Sequence, residues 1–205
     1  MAQLPRIGVL ASGEGTNLQT LLDTLHGREV DVVGVASDKP QARALERAAA
    51  AGVQTAVFER GAFADRASRD LAIAQWLEDQ GVQVVVLAGY MAILDVAFID
   101  RFRDRIVNVH PSLLPAFPGV RAIEQAVDHG VHVFGVTVHL VDEGVDTGPI
   151  LLQRAVELPG ETDPARVHAA LRPLEHELLP RAVRALAAGT VRRDPANPRR
   201  TVLGD

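Results

Sequence analysis

The chain has 205 residues, 47% hydrophobic and 23% charged, which fits one domain with a substantial core and argues against disorder. Its formal net charge of -5 advertises neither nucleic acid nor an anionic membrane as a partner. Cysteine is absent, which excludes a disulfide framework, thiol catalysis and thiolate metal sites. Met1 to Arg6 lack the apolar run of a signal peptide, and no stretch approaches the ~18 apolar residues of a membrane helix, so a cytoplasmic protein is expected.

Residues 7–11 are a short apolar run, the pattern of a buried strand. Residues 17–25 put Leu18, Leu21, Leu22 and Leu25 on one helical face. Residues 30–37 are a valine-rich second strand, and residues 41–51 an alanine-rich helix closed by Gly52. A third strand covers 54–58, a long amphipathic helix 63–80 ends at Gly81, and 82–88 are a fully apolar fourth strand. A helical stretch at 96–102 precedes a fifth strand at 106–109. A helix at 123–129, a strand at 131–141, a candidate antiparallel strand at 150–156 and a long helix at 164–188 follow. Strands alternating with helices predict an α/β fold: a Rossmann-like open, mostly parallel sheet with helices on both faces. Residues 1–190 form the expected catalytic domain and 191–205 a solvated carboxy-terminal tail.

Ser12-Gly-Glu-Gly-Thr-Asn-Leu18 joins the first strand to the first helix. Glycines permit a tight turn and close approach of an anion to the N–H groups at a helix start. Leu18 occupies the third glycine position of a dinucleotide fingerprint, and no Gly-Lys-Ser/Thr follows, so neither standard nucleotide loop applies. The loop suits a terminal phosphate on a small molecule; the plainer reading is a strand-to-helix turn capped by Thr16 or Asn17. Asp38 could bind a ribose, but in Asp-Lys-Pro a turn residue is the favoured reading.

In Asn108-Val-His110-Pro-Ser-Leu-Leu-Pro115 an amide and an imidazole alternate across one residue where a strand becomes a loop. Both therefore point to one side of the sheet and could donate to a developing oxyanion. Asp146 follows in Val145-Asp-Thr-Gly-Pro149. Taken singly, each of the three reads more blandly, as a strand-end histidine or a turn former. Thr137 and His139 share a strand face, which makes them either a supporting layer around the site or, for His139, core. His110, His132 and His139 fit no helical ligand pair, and no metal is expected.

Together these segments, with Val84-Val-Val-Leu-Ala-Gly-Tyr-Met91 and Gly135-Val-Thr-Val-His139, resemble the phosphoribosylglycinamide formyltransferases, the folate-dependent glycinamide ribonucleotide transformylases of purine (IMP) synthesis. The likeness runs from residue 6 to about residue 180. It implies formyl transfer from 10-formyltetrahydrofolate to the amine of glycinamide ribonucleotide, with no nucleic acid or membrane partner, by a monomer or homodimer. It further implies that Asn108 hydrogen-bonds the formyl oxygen, that His110 stabilises it as an oxyanion, and that Asp146 orients His110 and helps relay the amine proton. Gly15, Thr16 and Asn17 would hold the substrate phosphate and Glu175 the ribonucleotide; composition alone makes Glu175 an exposed helix charge. Arg66, Met91, Ala92, Ile93, Leu94 and Asn108 would form the folate side, although Met91, Ile93 and Leu94 also read as ordinary core. The family resemblance also implies a cis Leu114–Pro115 bond.

Two departures from the family pattern stand out. Ala92 replaces an arginine that pairs with the folate glutamate in many members, and Arg121 replaces a histidine found in some near the phosphate. Arg121 is left as either a phosphate contact or a solvated surface charge. Two related families, the methionyl-tRNA formyltransferases and the formyltetrahydrofolate hydrolases, usually carry an extra domain for which this sequence shows no counterpart. The readings from other classes are a non-catalytic sugar-phosphate-binding domain and a transferase that places a nucleotide cofactor on Asp38.

Overall fold

Apolar runs too short for helices become the centre of the molecule. The computed structural model describes residues 3–204. Strands β1 (Arg6–Leu10), β2 (Asp31–Ser37), β3 (Gln54–Val57), β4 (Val84–Leu87), β5 (Ile106–His110), β6 (Val133–Leu140) and β7 (Ile150–Glu157) build a seven-stranded sheet in the order β3-β2-β1-β4-β5-β6-β7. β1 to β5 are parallel, as expected. β6 runs antiparallel to β5, and β7 antiparallel to β6, so β6 alone of the seven opposes the rest. The chain steps from β1 outward to β3, then returns across β1 to β4. Such a reversal opens a crevice beyond the carboxyl ends of the strands.

Among the described residues six α-helices cover the sheet: α1 (Thr16–Thr24), α2 (Arg43–Ala50), α3 (Arg66–Asp79), α4 (Val96–Arg101), α5 (Ala122–His129) and α6 (Pro164–Ala187). The period-two pleat sorts β4 between two cores. Val84 and Val86 pack with Leu18, Leu21 and Leu171 on the face of α1 and α6. Val85 and Leu87 pack with Ile73, Leu77, Phe98 and Phe102 on the face of α3 and α4. Each such side chain contributes about 1.5–3 kcal/mol by leaving water.

Two segments depart from the sequence expectation, one for a local reason and one through distant contacts. α3 begins at Arg66 because Asp65 accepts from the Ser68 N–H while the Ser68 hydroxyl faces the Asp65 N–H, a reciprocal cap. Residues 60–62 before it form a single 3-10 turn. The stretch read as a solvated tail folds instead: β8 (Val191–Asp194) and β9 (Asn197–Leu203) form an antiparallel hairpin. The Thr201 hydroxyl donates to the Ile150 carbonyl and Arg193 pairs with Asp104, which ties the hairpin to the main body.

The loop between β6 and β7 closes tightly on the end of β6. A methyl group on Gly148 would lie 1.8 Å from the Leu140 carbonyl oxygen, which is fixed backbone. Gly148→Ala is expected to lose at least about 2 kcal/mol in urea unfolding. Gly61→Ala, with nothing within 4 Å of the added methyl, should stay within about 0.5 kcal/mol.

Candidate active site

The register of β5 and β6 assembles the polar cluster. Asn108 lies directly opposite His139, and His110 opposite Thr137. Alternation puts all four on the side of the sheet away from Val107 and Val109, which face the α6 core. Thr137 holds the loop after β5: its hydroxyl donates to the Ser112 carbonyl at 2.7 Å and accepts the Leu114 N–H at 3.0 Å. The Leu114–Pro115 bond in that loop is cis.

Asp146 arrives from the loop between β6 and β7 with φ 54°, a left-handed conformation that aspartate tolerates better than most residues. Its Oδ2 accepts the Gly119 N–H at 2.7 Å and faces His110 Nδ1 at 3.3 Å. Its Oδ1 faces Asn108 Nδ2 at 3.4 Å and His139 Nε2 at 3.5 Å. The structure thus brings Asn108, His110 and Asp146 together and adds His139, whose buried ring joins the cluster.

The partners assign the protons. His139 Nδ1 lies 2.8 Å from the Leu140 carbonyl and must donate to it. Nε2 lies 3.1 Å from Asn108 Nδ2 and 3.5 Å from Asp146 Oδ1: without a proton it accepts from the amide, and with one it donates to the carboxylate. His110 meets an acceptor at each nitrogen, with the Phe117 carbonyl 2.9 Å from Nε2 and the Asp146 carboxylate at Nδ1. Both ring nitrogens thus face acceptors, which fixes the orientation of the imidazole. Burial works against ionisation of Asp146. It is outweighed by the His139 hydrogen bond, the Gly119 N–H and the charges of His110 and His139, which together lower the carboxyl to about 2.

The glycine loop forms a second part of the site. Gly15 occupies the N-cap position of α1 with φ 70°, and a methyl there would sit 2.7 Å from the α2 backbone at Ala44. No side chain caps α1, so neither Thr16 nor Asn17 plays the role that the plainer reading gave it. Asn17 instead donates through Nδ2 to Glu175 at 2.9 Å, across from α6. Glu175 is buried rather than an exposed helix charge. Arg121 stands at the N-cap of α5 with φ 60°, exposed and without an ion pair among the described residues.

On the other side of the crevice, Tyr90 and Leu94 are buried while Met91 and Ile93 are 58% and 60% exposed. The core reading therefore holds for Leu94 and fails for Met91 and Ile93. Ala92 is half-buried, and the nearby Arg66 pairs with Asp95 at 3.4 Å. Sequence reasoning missed Phe117 and Gly119, whose contributions are backbone groups and carry no side-chain signal. It also missed the hydrogen bond that the buried Asp38, in the bend after β2, accepts from the Ser12 hydroxyl at 2.6 Å. The available signal was position: Ser12 and Asp38 lie at equal steps beyond the paired Leu10 and Ala36 of β1 and β2. Among the described residues no group of three or more acidic or histidine side chains is placed to hold a metal ion. No described helix is long and apolar enough to cross a membrane.

An amide, two imidazoles and a carboxylate converge at the carboxyl end of a parallel strand, which is where α/β folds place their ligand sites. Residues 5–183 match the family described as Formyl transferase, and the chain belongs to that family. It is 37% identical to a phosphoribosylglycinamide formyltransferase of Bacillus subtilis, over 89% of this chain and 95% of that one. It is 44% identical to the trifunctional purine biosynthetic protein adenosine-3 of Drosophila pseudoobscura pseudoobscura, over 92% of this chain but only 14% of that much longer protein. In three dimensions it is similar to glycinamide ribonucleotide transformylase 1 of Symbiobacterium toebii, with a TM-score of 0.94 and 42% identity, over 100% of this chain and 96% of the other.

The Asp146 environment predicts a pH signature. Its carboxyl titrates below the ordinary 3.8 when folded, so its stabilising contribution is complete above about pH 5 and is lost as pH falls towards 2. The depression corresponds to roughly 2 kcal/mol. Asp146→Asn should therefore be less stable than wild type by about that much at pH 7, and urea unfolding should show the gap narrowing steadily below about pH 4.

Proposed function

We propose that the protein is a phosphoribosylglycinamide formyltransferase, moving the formyl group of 10-formyltetrahydrofolate to the amine of glycinamide ribonucleotide in purine synthesis. The observation that carries this reading is the convergence of Asn108, His110 and His139 on the partly buried Asp146, within a formyl transferase chain. The reading brings with it the cytoplasm as compartment and a monomer or homodimer as the working unit.

The chemistry follows from what the groups can do. The neutral amine attacks the formyl carbon, a C–N bond forms, and the carbonyl electron pair moves onto oxygen. Asn108 Nδ2 meets that oxygen by exchanging its long 3.4 Å contact with Asp146 for a shorter bond to the oxyanion. His110, held between Asp146 and the Phe117 carbonyl, stabilises the same oxygen electrostatically. The attacking amine then sheds a proton, with the Asp146–His110 pair assisting its passage. Collapse of the intermediate breaks the bond to the folate nitrogen N10, which leaves with a proton as tetrahydrofolate.

Gly15, Thr16 and Asn17 take the substrate phosphate at the open start of α1, and Glu175 the ribonucleotide. Arg121 serves as a further phosphate contact, for which a guanidinium is suited. Arg66, Met91, Ala92, Ile93 and Leu94 receive the folate, with the exposed Met91 and Ile93 supplying apolar surface.

The test is formyl transfer followed by the absorbance of released tetrahydrofolate, with water alone and methionyl-tRNA as alternative acceptors. Turnover should require glycinamide ribonucleotide; consumption with water alone would identify a hydrolase instead. Asp146→Asn should lower kcat by about 10²–10³-fold with the fold retained, and near-normal turnover would remove Asp146 from the mechanism. Ala92→Arg should lower the folate KM several-fold by adding a cation beside the tail, and an unchanged KM would mean that residue 92 does not face it.

A further inference from the structure

The buried carboxylate of Asp38 has no part in the mechanism above, yet it sits among groups that join the two halves of the site. The Ser12 hydroxyl donates to Asp38 Oδ1 at 2.6 Å and accepts the Met91 N–H at 2.9 Å. The Ser12 N–H donates to the Gly89 carbonyl at 3.1 Å. The Arg60 guanidinium lies 3.3 Å from Asp38 Oδ2 and 3.5 Å from the Met91 carbonyl. The backbone that displays the exposed Met91 and Ile93 is thus held at Gly89 and on both polar groups of Met91.

We infer that Asp38 is a positioning residue for the folate-receiving segment 89–94, acting through the Ser12 hydroxyl; this rests on the functional reading above. A hydroxyl has one proton and two lone pairs. With the proton committed to Asp38, a lone pair is aimed at the Met91 N–H. Without Asp38 the hydroxyl rotates freely and the tie to Met91 loosens. Ser12 and Asp38 are both buried, so water is a poor substitute for either partner. The phosphate-binding part of the glycine loop is anchored separately. The Ala44 N–H donates to the Gly13 carbonyl at 3.1 Å, and Arg47 donates to the Glu14 carbonyl at 2.8 Å. Loss of the tie should therefore be felt on the folate side and spared on the ribonucleotide side.

The experiment compares wild type with Ser12→Ala, Asp38→Ala, Asp38→Asn and the double variant Ser12→Ala/Asp38→Ala. Amide hydrogen exchange of segment 89–94 is read in the free proteins, and both KM values and kcat by formyl transfer. Ser12→Ala and Asp38→Ala should each speed exchange in the segment and raise the folate KM, both by about tenfold. The ribonucleotide KM and kcat should stay within about threefold. Asp38→Asn keeps an oxygen acceptor for Ser12 and should recover most of the effect. The double variant should be no worse than Ser12→Ala alone, because Asp38 acts through that hydroxyl. Unchanged exchange at 89–94, equal rises in the two KM values, or fully additive losses in the double variant would overturn the inference. Absence of transfer by wild type itself would instead overturn the functional reading, while the exchange rates still decide whether the tie holds the segment.

Discussion

A carboxylate that is 14% exposed can stay ionised only if its surroundings replace the lost water. Asp146 meets that constraint with groups from three places: the Gly119 N–H from the loop after β5, Asn108 and His110 from β5 itself, and His139 from β6. Each of those elements is in turn held by the carboxylate. The loop after β5 returns to the sheet at Gly119 because Asp146 is there to accept it. Removing the charge would leave donors buried without an acceptor, which costs more than the bonds themselves contribute. The reacting groups and the local fold are therefore one network, and changes in the carboxylate should register both in stability and in chemistry.

The reversal of β6 is what makes this network possible. An antiparallel neighbour sets residues directly opposite one another, so Asn108 meets His139 across the ladder and His110 meets Thr137. The same strand puts Phe134, Val136, Val138 and Leu140 on its other face, against the α6 core. One strand thus anchors the sheet with alternate residues and carries site chemistry with the rest. The tight loop from β6 to β7 then delivers Asp146 only seven residues after His139.

Much of this was legible in the amino-acid sequence because it depends on local patterns. Runs such as Val84 to Leu87 are too short for helices and too apolar for surface strands, and their alternation with helical periods implied the layered sheet. Asn108 and His110 could be placed on one side from strand periodicity alone. The direction of β6 was not legible, since a helix precedes it as in the parallel units; its opposed course follows from tertiary pairing. The hairpin of β8 and β9 escaped because its arginines and prolines resemble a solvated tail, and its order comes from contacts with Ile150 and Asp104 distant in sequence. Glu175 was misjudged in its surroundings for the same reason: a carboxylate on a helix looks solvated until its distant partner, here Asn17, is known.

Backbone strain gathers around the same carboxylate. Of the four non-glycine residues with positive φ among those described, Phe117, Arg121 and Asp146 belong to the two loops that meet at Asp146. Phe117 is the least suited to that conformation, and it is the residue whose carbonyl receives His110 Nε2. Such residues cost of order 1–3 kcal/mol each and persist only where the surroundings fix them. The surroundings here are apolar cores on both faces of the sheet, with all of β4 buried and β5 buried but for Asn108. A rigid sheet is thus the physical condition for holding Asn108 and His110 in place while the loops opposite carry the strain. An imidazole or amide displaced by even 1 Å from the developing oxyanion would lose most of its value, so the core that lies far from the reaction contributes to the rate through position.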